Sequence, residues 1–225
     1  MEEDKLDSPV WYSLEETHQS FCLSYEGAKF YDPSYCPFGS FQSDEKSGFV
    51  TREYSANCAD FYVVGDQPNC AEGLIINKNN VCHQMILKHS PQIMVGERIV
   101  ELSRSDQKQE LIDLVNLVQP GFIKDQTPSL GTYFGIYKNS MLVAAAGERM
   151  KMDHFTEISA VVTHPKYVRN GYAKQLLKHL IDRIFMQNKT PYLHVSETNL
   201  SAIKLYRQLG FTIRRKISFW HIVKS

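Results

Sequence analysis

The most constraining feature of this sequence is a strand, turn and helix in succession between residues 155 and 185. Residues 155–163 (FTEISAVVT) predict a strand, and Gly171 lies in the turn that follows it. The apolar residues after the turn follow i, i+3, i+4, i+7 spacing over three turns. They are Ala173, Leu176, Leu177, Leu180, Ile181, Ile184 and Phe185. The pattern predicts an amphipathic helix whose apolar face packs on a sheet.

The residues on either side of this segment predict further elements. Strands are predicted at residues 98–102, 133–137, 141–146, 192–195 and 211–223, with Asn139-Ser140 as a hairpin turn. Ser105 is the predicted N-cap of a helix that ends before Pro120, and Asn199 caps a helix that ends at Gly210. The resulting order, β-α-β-β-β-α-β-α-β, is typical of an α/β fold whose early strands are joined by hairpins.

The first 96 residues are less regular. They predict a helix at residues 11–21, a buried strand at 61–64, and a hairpin of residues 73–76 and 81–87 that turns at 78–80. We therefore expect an N-terminal α/β half at residues 1–96 and a second domain at residues 97–225.

Charge and hydropathy exclude some classes of function. The chain has 225 residues, with 25 Lys and Arg against 25 Asp and Glu. This balance lacks the basic excess of a general nucleic-acid binder, so no nucleic-acid partner is expected. The acidic start and the short apolar runs predict neither a secretory signal nor a membrane span. A soluble cytoplasmic protein is the expectation.

Cysteine and histidine give no sign of a metal site. The five cysteines lie within the first 82 residues, without CxxC spacing and outside the part where catalysis is expected, and they are predicted to be free thiols. The eight histidines form no HExxH motif, so no metal is expected.

The turn before the helix at 172 suits a bulky anion. A helix N-terminus presents unpaired N–H groups and a positive dipole end, and glycine allows close approach of the backbone. Lys166, Arg169 and Lys174 add positive charge, whereas the GxxxxGK[ST] and GxGxxG phosphate motifs are absent from the sequence. The turn alone is a weak indication, since many strand–turn–helix units contain one glycine.

Three motifs together resemble the GNAT superfamily of N-acetyltransferases. They are the strand and step at 157–165 (EISAVVTHP), the loop at 168–173 (VRNGYA), and the pattern Asn199-x-x-Ala202-x-x-x-Tyr206-x-x-x-Gly210-Phe211. The resemblance covers about residues 98–225. Within the superfamily the chain looks most similar to the C-terminal domains of glycine N-acyltransferase-like proteins, whose N-terminal half is often a diverged, degenerate copy of the fold.

The resemblance implies how acyl-CoA, most simply acetyl-CoA, binds. A mixed, largely antiparallel twisted sheet opens between two parallel strands, here 155–163 and 191–196. The pantetheine arm pairs with the open strand edge, and the pyrophosphate lies on the amides of the loop. The implied contacts are Val161, Val162, Thr163, Val168, Arg169, Asn170, Gly171, Tyr172, Ala173, Lys174, Asn199 and Tyr206. The loop departs from the family pattern at Val168, where Gln or Arg is usual, and Arg169 is expected to supply the missing charge.

Two residues are candidates for catalysis. The resemblance makes Glu157 the general base, directly or through water, and Tyr206 the general acid for the CoA thiolate. Each also has a structural interpretation, Glu157 as a satisfied carboxylate and Tyr206 as a core aromatic. His164 and His194 lie beside predicted strands, where a structural role is the more common one.

The sequence thus predicts an acyl-CoA-dependent N-acyltransferase. The acceptor would be a primary amine of a small molecule or a peptide, attacking the acyl group directly in a ternary complex. The alternative is a non-catalytic CoA-binding or interaction module, which the Val168 departure and the irregular first half would suit.

Overall fold

A single mixed sheet runs through the molecule in the computed structural model, which describes residues 2–43 and 45–225. The strands are β1 Cys22–Tyr25, β2 Ala28–Tyr31, β3 Phe38–Phe41, β4 Asp60–Val64, β5 Leu74–Ile86, β6 Ile99–Glu101, β7 Tyr133–Lys138, β8 Met141–Lys151, β9 Phe155–Thr163, β10 Thr190–Ser196 and β11 Thr212–Lys224. The helices are α1 Pro9–Glu15, α2 Ser47–Ser55, α3 Ser105–Val118, α4 Tyr172–Met186 and α5 Leu200–Gln208.

The strand order is β1-β2-β3-β4-β11-β5-β10-β9-β8-β7-β6. Two neighbouring pairs, β3–β4 and β9–β10, are parallel, and each is joined through a helix, α2 or α4. The other neighbours are antiparallel. The predicted mixed α/β sheet with central parallel strands is therefore confirmed, and so is the order of the elements from β6 to β11.

The predicted hairpin at residues 73–87 is wrong. Residues 74–86 form one continuous strand, β5, because the equally long β11 pairs with it from Leu74↔Lys224 to Ile86↔Thr212. Asn79, placed in the predicted turn, lies opposite Trp220 instead. A partner strand about 140 residues away in sequence has overridden the local turn preference of the asparagines.

Two predicted helix boundaries also need correction. The helix at 11–21 is shorter, since α1 ends at Glu15. Ser105 is the first helical residue of α3 and Arg104 is its N-cap, with Gln107 accepting from the Arg104 N–H. The Asn139-Ser140 turn is confirmed, with φ of 50° and 63° at its two residues, as a tight hairpin turn requires.

Helix α4 fixes the position of the sheet beneath it. Its residues Leu176, Leu177, Leu180, Ile181 and Ile184 are fully buried against the sheet. Burying side chains of this size contributes roughly 1.5–3 kcal/mol each. Helix α5 joins the same core, whereas α1 packs in a separate core with side chains from β3, β8 and β10.

The first 96 residues contribute to the same sheet as the rest. Strand β5 lies between β10 and β11, so it fills the position beside the parallel pair β9–β10. Strand β11 in turn lies beside the parallel pair β3–β4. The division at residues 96 and 97 stays a prediction. Within the described residues, no helix is long and apolar enough to cross a membrane.

Asn199 closes the first turn of α5, since its Oδ1 accepts from the Ala202 N–H at 3.2 Å. We expect Asn199→Ala to lower the free energy of unfolding by about 1 kcal/mol, the usual contribution of such a cap. Urea denaturation measures the change. Asn199→Ser, which keeps a capping oxygen, is the control and should cost less; equal stability of wild type and Asn199→Ala would contradict the capping role.

Candidate active site

The sheet opens between its central parallel strands. Strands β9 and β10 pair only over Thr190↔Phe155, Pro191↔Thr156 and Tyr192↔Glu157. Beyond that point β9 continues to Thr163 and β10 to Ser196, while β10 stays paired with β5. The edge of β9 that faces the gap is therefore left without a strand partner, as the sequence predicted.

A bulge in β9 lies at this opening. Ala145 pairs with Val162 and Gly147 with Ser159, so two residues of β9 lie opposite one residue of β8. Ala160, inside the bulge, has a φ of 51°, which is uncommon for a residue other than glycine. A bulge bends its strand and redirects backbone groups, so it turns this part of β9 away from β10.

The loop after β9 leads into a helix N-terminus that is free to bind an anion. Gly171 is the N-cap of α4 with a φ of 76°, and no side chain caps the helix. The first N–H groups of a helix have no acceptor within it. Val168, Arg169 and Lys174 are exposed around this turn, and the Asn170 amide donates to the carbonyl of Tyr167. The turn thus combines free N–H groups with positive charge.

Some of the predicted binding residues could contact a ligand with their side chains, and others only with their main-chain atoms. The side chains of Val162 and Tyr172 are buried in separate cores, at 2% and 8% exposure. Only their main-chain atoms are available to a ligand. A diphosphate bound at this turn would therefore rest mainly on backbone N–H groups, which depend little on the residue at position 168.

A cavity of about 340 Å³ passes through the opened sheet. His194 and Val195 both line it, although consecutive residues of a strand point to opposite faces. On the α4 and α5 side it reaches Ala202 and Tyr206. On the other side its walls are Phe38, Asn80, Cys82, Phe122, Tyr133, Arg149, Ser159 and Phe219.

Tyr206 is placed to act on a ligand in this cavity. It is 7% exposed, and its hydroxyl has no hydrogen-bond partner among the described residues. Burial raises the pKa of Tyr206 to about 12, so the phenol stays protonated at neutral pH. The geometry suits a proton donor.

Glu157 is placed differently from the predicted general base. It is 1% exposed, and both carboxylate oxygens accept from Arg149, Oε2 from Nε and Oε1 from Nη2, at 2.8 Å each. Burial raises the pKa of Glu157, but the charge and hydrogen bonds of Arg149 outweigh it and lower the pKa to about 2. So weak a base, absent from the cavity lining, does not suit direct proton transfer from an amine.

A buried hydrogen-bond chain extends from this ion pair. His194 Nδ1 donates to Glu157 Oε1 at 2.8 Å, since a carboxylate can only accept. The Gln84 amide lies 3.1 Å from His194 Nε2 and donates to the Leu6 carbonyl at 2.7 Å. His194 is thus held by structural partners, and His164 Nδ1 accepts from the Lys166 N–H in the loop after β9.

Sequence reasoning missed the part of the site that comes from outside the motifs. Arg149, Gln84, Phe38 and Cys82 are all at or behind the cavity, although the cysteines were expected to lie away from it. Burial raises the pKa of the Cys82 thiol to about 12, so it is an unreactive thiol at neutral pH. The signal for Arg149 was weak, because it is one of three charged residues, with Glu148 and Lys151, at the end of an apolar run.

Known proteins are similar to this chain in sequence and in fold. Residues 133–220 match the family model described as FR47-like protein. The chain is 37% identical over 86 residues to the [ribosomal protein bS18]-alanine N-acetyltransferase of Escherichia coli K12. That match covers 36% of this chain and 57% of the relative, so the chain spans a little over half the length of the curated relatives it matches.

The structural matches extend over the whole chain. A crystal structure named as an acetyltransferase of the GNAT family from Novosphingobium aromaticivorans has a TM-score of 0.89 at 29% identity, and covers 98% of both chains. A GCN5-related N-acetyltransferase from Kribbella flavida has a TM-score of 0.64 at 13% identity, covers 97% of this chain and 95% of its own, and shows a common fold.

The site thus combines an opened parallel pair, a bulged strand edge and a helix N-terminus without a side-chain cap. The family model over residues 133–220 and the full-length structural match make this chain similar to N-acetyltransferases of the GNAT superfamily.

The Arg149–Glu157 pair makes stability depend on pH. Because the folded-state pKa of Glu157 lies at about 2, below its ordinary value of 4.5, its contribution is complete above about pH 4.5 and is lost as the pH falls towards 2. We expect Glu157→Gln to cost about 3 kcal/mol at pH 7, because it leaves a buried guanidinium uncompensated. The difference from wild type should shrink as the pH falls below 4.5.

Urea denaturation at pH 7, 5, 4 and 3 measures this difference. Glu72→Gln, at an exposed position, is the control and should change stability little at any pH. A Glu157→Gln penalty that stays constant from pH 7 to 3 would rule out the linkage.

Proposed function

We propose that this protein is an acyl-CoA-dependent N-acyltransferase that transfers an acyl group, most simply acetyl, to a primary amine. The observation that supports it most strongly is the gap between β9 and β10, which begins beyond the pair Tyr192↔Glu157 and contains a cavity of about 340 Å³ lined from both faces of the sheet. Such a passage allows two substrates to meet from opposite sides. The cavity size falls in the usual range for small-molecule sites.

The residues present fit acetyl-CoA. The free edge of β9 at Val161, Val162 and Thr163 would pair with an extended chain of amides, in the manner of an added strand. The turn at 168–174 would hold a diphosphate on its N–H groups, with Arg169 and Lys174 beside it. Acetyl-CoA supplies the acetyl group as a thioester activated for attack by nitrogen.

The N–H groups of the β9 bulge and the Tyr206 hydroxyl would each assist one step of acyl transfer. A main-chain N–H aimed at the developing oxyanion stabilises charge in the transition state. The Tyr206 hydroxyl would donate its proton to the departing thiolate, for which a phenol with a pKa of about 12 is protonated and available. Asn199 has a settled role as the cap of α5 and also lines the cavity, so contact with the ligand stays a prediction.

We propose that Glu157 acts as an anchor for Arg149 and His194, and that the amine loses its proton to water. No carboxylate lines the cavity among the described residues. An amine must then reach the site neutral, which costs about 4–5 kcal/mol at pH 7 for a lysine with pKa about 10.4. A peptide N-terminus, with a pKa of about 7.7–8.0, costs only about 1 kcal/mol.

The acceptor is therefore proposed to be an amine of low pKa. The relative from Escherichia coli is named for acetylating an alanine of a ribosomal protein, which supports an α-amino acceptor as one class to test. A closer relation to glycine N-acyltransferase-like proteins, the status of residues 1–96 as a degenerate copy of the fold, and a cytoplasmic location stay predictions from the sequence.

Incubation with acetyl-CoA and a panel of primary amines tests the activity, with released thiol as the readout. We expect amine-dependent release above the rate of acetyl-CoA hydrolysis, together with a rise in melting temperature when CoA is added. A rise in melting temperature with no thiol release for any amine or acyl chain length would point to the binding module instead.

Tyr206→Phe tests the proton donor. We expect kcat to fall by about a hundredfold, at the lower end of the range for a general acid, because the thiolate would leave unprotonated. The melting-temperature rise with CoA should persist, since the phenyl ring keeps its packing in the core. Tyr25→Phe, in β1 at the far edge of the sheet, is the control and should leave kcat unchanged. An unchanged kcat in Tyr206→Phe would remove the residue from the mechanism.

A further inference from the structure

Arg149 gives the cavity a positive charge. Of the described residues that line it, Arg149 is the sole one with a permanent charge, and neither aspartate, glutamate nor lysine is among them. Glu157, its partner, lies behind it and outside the lining. The positive end of the ion pair therefore faces the ligand, and a second positive charge on an acceptor would be repelled.

The guanidinium is held so that one of its nitrogens is free. Nε and Nη2 donate to Glu157, and Nη1 has no hydrogen-bond partner among the described residues. The Phe38 ring lies 4.8 Å from the guanidinium carbon and fixes the plane of the group. Because His194 in turn holds Glu157, Nη1 is pre-organised and costs little ordering when it binds an oxygen.

Four aromatic side chains, Phe38, Phe122, Tyr133 and Phe219, line the cavity on the same side as Arg149. The uncharged polar residues Asn80 and Ser159 lie among them. A buried donor in an apolar cavity rejects a ligand that lacks an acceptor for it, because the donor would lose its water and gain no partner. The guanidinium therefore selects for an acceptor oxygen, and the four aromatic side chains favour an apolar group beside it.

We propose that the acceptor is an apolar primary amine with a carboxylate or carbonyl oxygen a few atoms from its nitrogen, and that Arg149 binds this oxygen. The role of this amine as the acyl acceptor rests on the proposed function, whereas its binding to Arg149 does not depend on that function. Polyamines and other acceptors with several positive charges are excluded by the same arrangement. Arg149 is thus a specificity-determining residue on the side of the sheet away from α4 and α5.

Three probes of one shape test the preference. Phenylalanine carries a carboxylate, phenylalaninamide a neutral carbonyl, and 2-phenylethylamine neither; spermidine is the polycationic probe. Calorimetric titration gives the Kd of each with and without CoA, and thiol release from acetyl-CoA gives kcat/KM. We expect at least one of the two oxygen-bearing probes to bind about tenfold or more tightly than 2-phenylethylamine, and spermidine not to bind.

Arg149→Lys is the decisive variant, since it keeps a positive charge beside the buried Glu157 while removing the planar guanidinium and its free Nη1. We expect it to reduce the difference between the oxygen-bearing probes and 2-phenylethylamine to less than about threefold. Arg183→Lys is the matched control, because Arg183 also lies over a phenylalanine ring, Phe134, near a buried glutamate, Glu148. The double variant Arg149→Met/Glu157→Gln removes both charges together and serves if Arg149→Lys fails to fold.

The outcomes separate this proposal from the proposed function. Arg149-dependent preference in Kd without thiol release would support the binding inference and count against the acyltransferase. Thiol release with equal Kd and equal kcat/KM for the three probes would support the acyltransferase and overturn the inference. Failure of all probes to bind, tight binding of spermidine, or an unchanged preference in Arg149→Lys would also overturn it.

Discussion

The loss of pairing between β9 and β10 after Glu157 is the constraint on which the rest of the site depends. Parallel strands that continued to pair would bury the edge of β9 and close the cavity. Two features keep them apart: the bulge at Ala160 bends β9, and β5 holds β10 on its other edge through Ser196↔Cys82. The Arg149–Glu157–His194 chain lies at the point of separation, with Glu157 in the last paired position and His194 two residues beyond Tyr192.

A buried ion pair at that point is costly to form, because two charges must leave water. Replacing it by apolar side chains would often stabilise a protein, so its presence here calls for another explanation. The explanation offered by the geometry is orientation: Glu157 uses both oxygens on Arg149, and the free Nη1 then has one direction in which to donate. The same arrangement accounts for the low pKa of Glu157 and for its unsuitability as a base.

The sequence predicted correctly the elements that depend on residues close together in the chain. Strand β9 and helix α4 begin at the residues the pattern indicated, because periodicity and the glycine turn are local signals. It failed for β5, where pairing with β11 about 140 residues away decides the structure. It also failed for the side of the cavity away from α4 and α5, which joins Phe38, Cys82, Arg149 and Phe219 from distant segments. No local sequence pattern predicts such contacts between distant segments, since they follow from the strand order of the sheet. Glu157 was found from a motif, but its partners, which determine its pKa, were not in that motif.

The strand order also bears on the origin of the first 96 residues. Each parallel pair, β3–β4 or β9–β10, is joined by a crossing helix, and each is followed by a long antiparallel strand supplied by the other part of the chain. Two units related in this way would each be incomplete alone, because β5 completes the sheet beside β10 and β11 completes it beside β4. The exchange places Asn80 and Cys82 of β5 in the cavity wall opposite β9. The first part of the chain is therefore tied to the cavity by the same hydrogen bonds that hold the sheet together, so a change in its strands also changes the cavity wall.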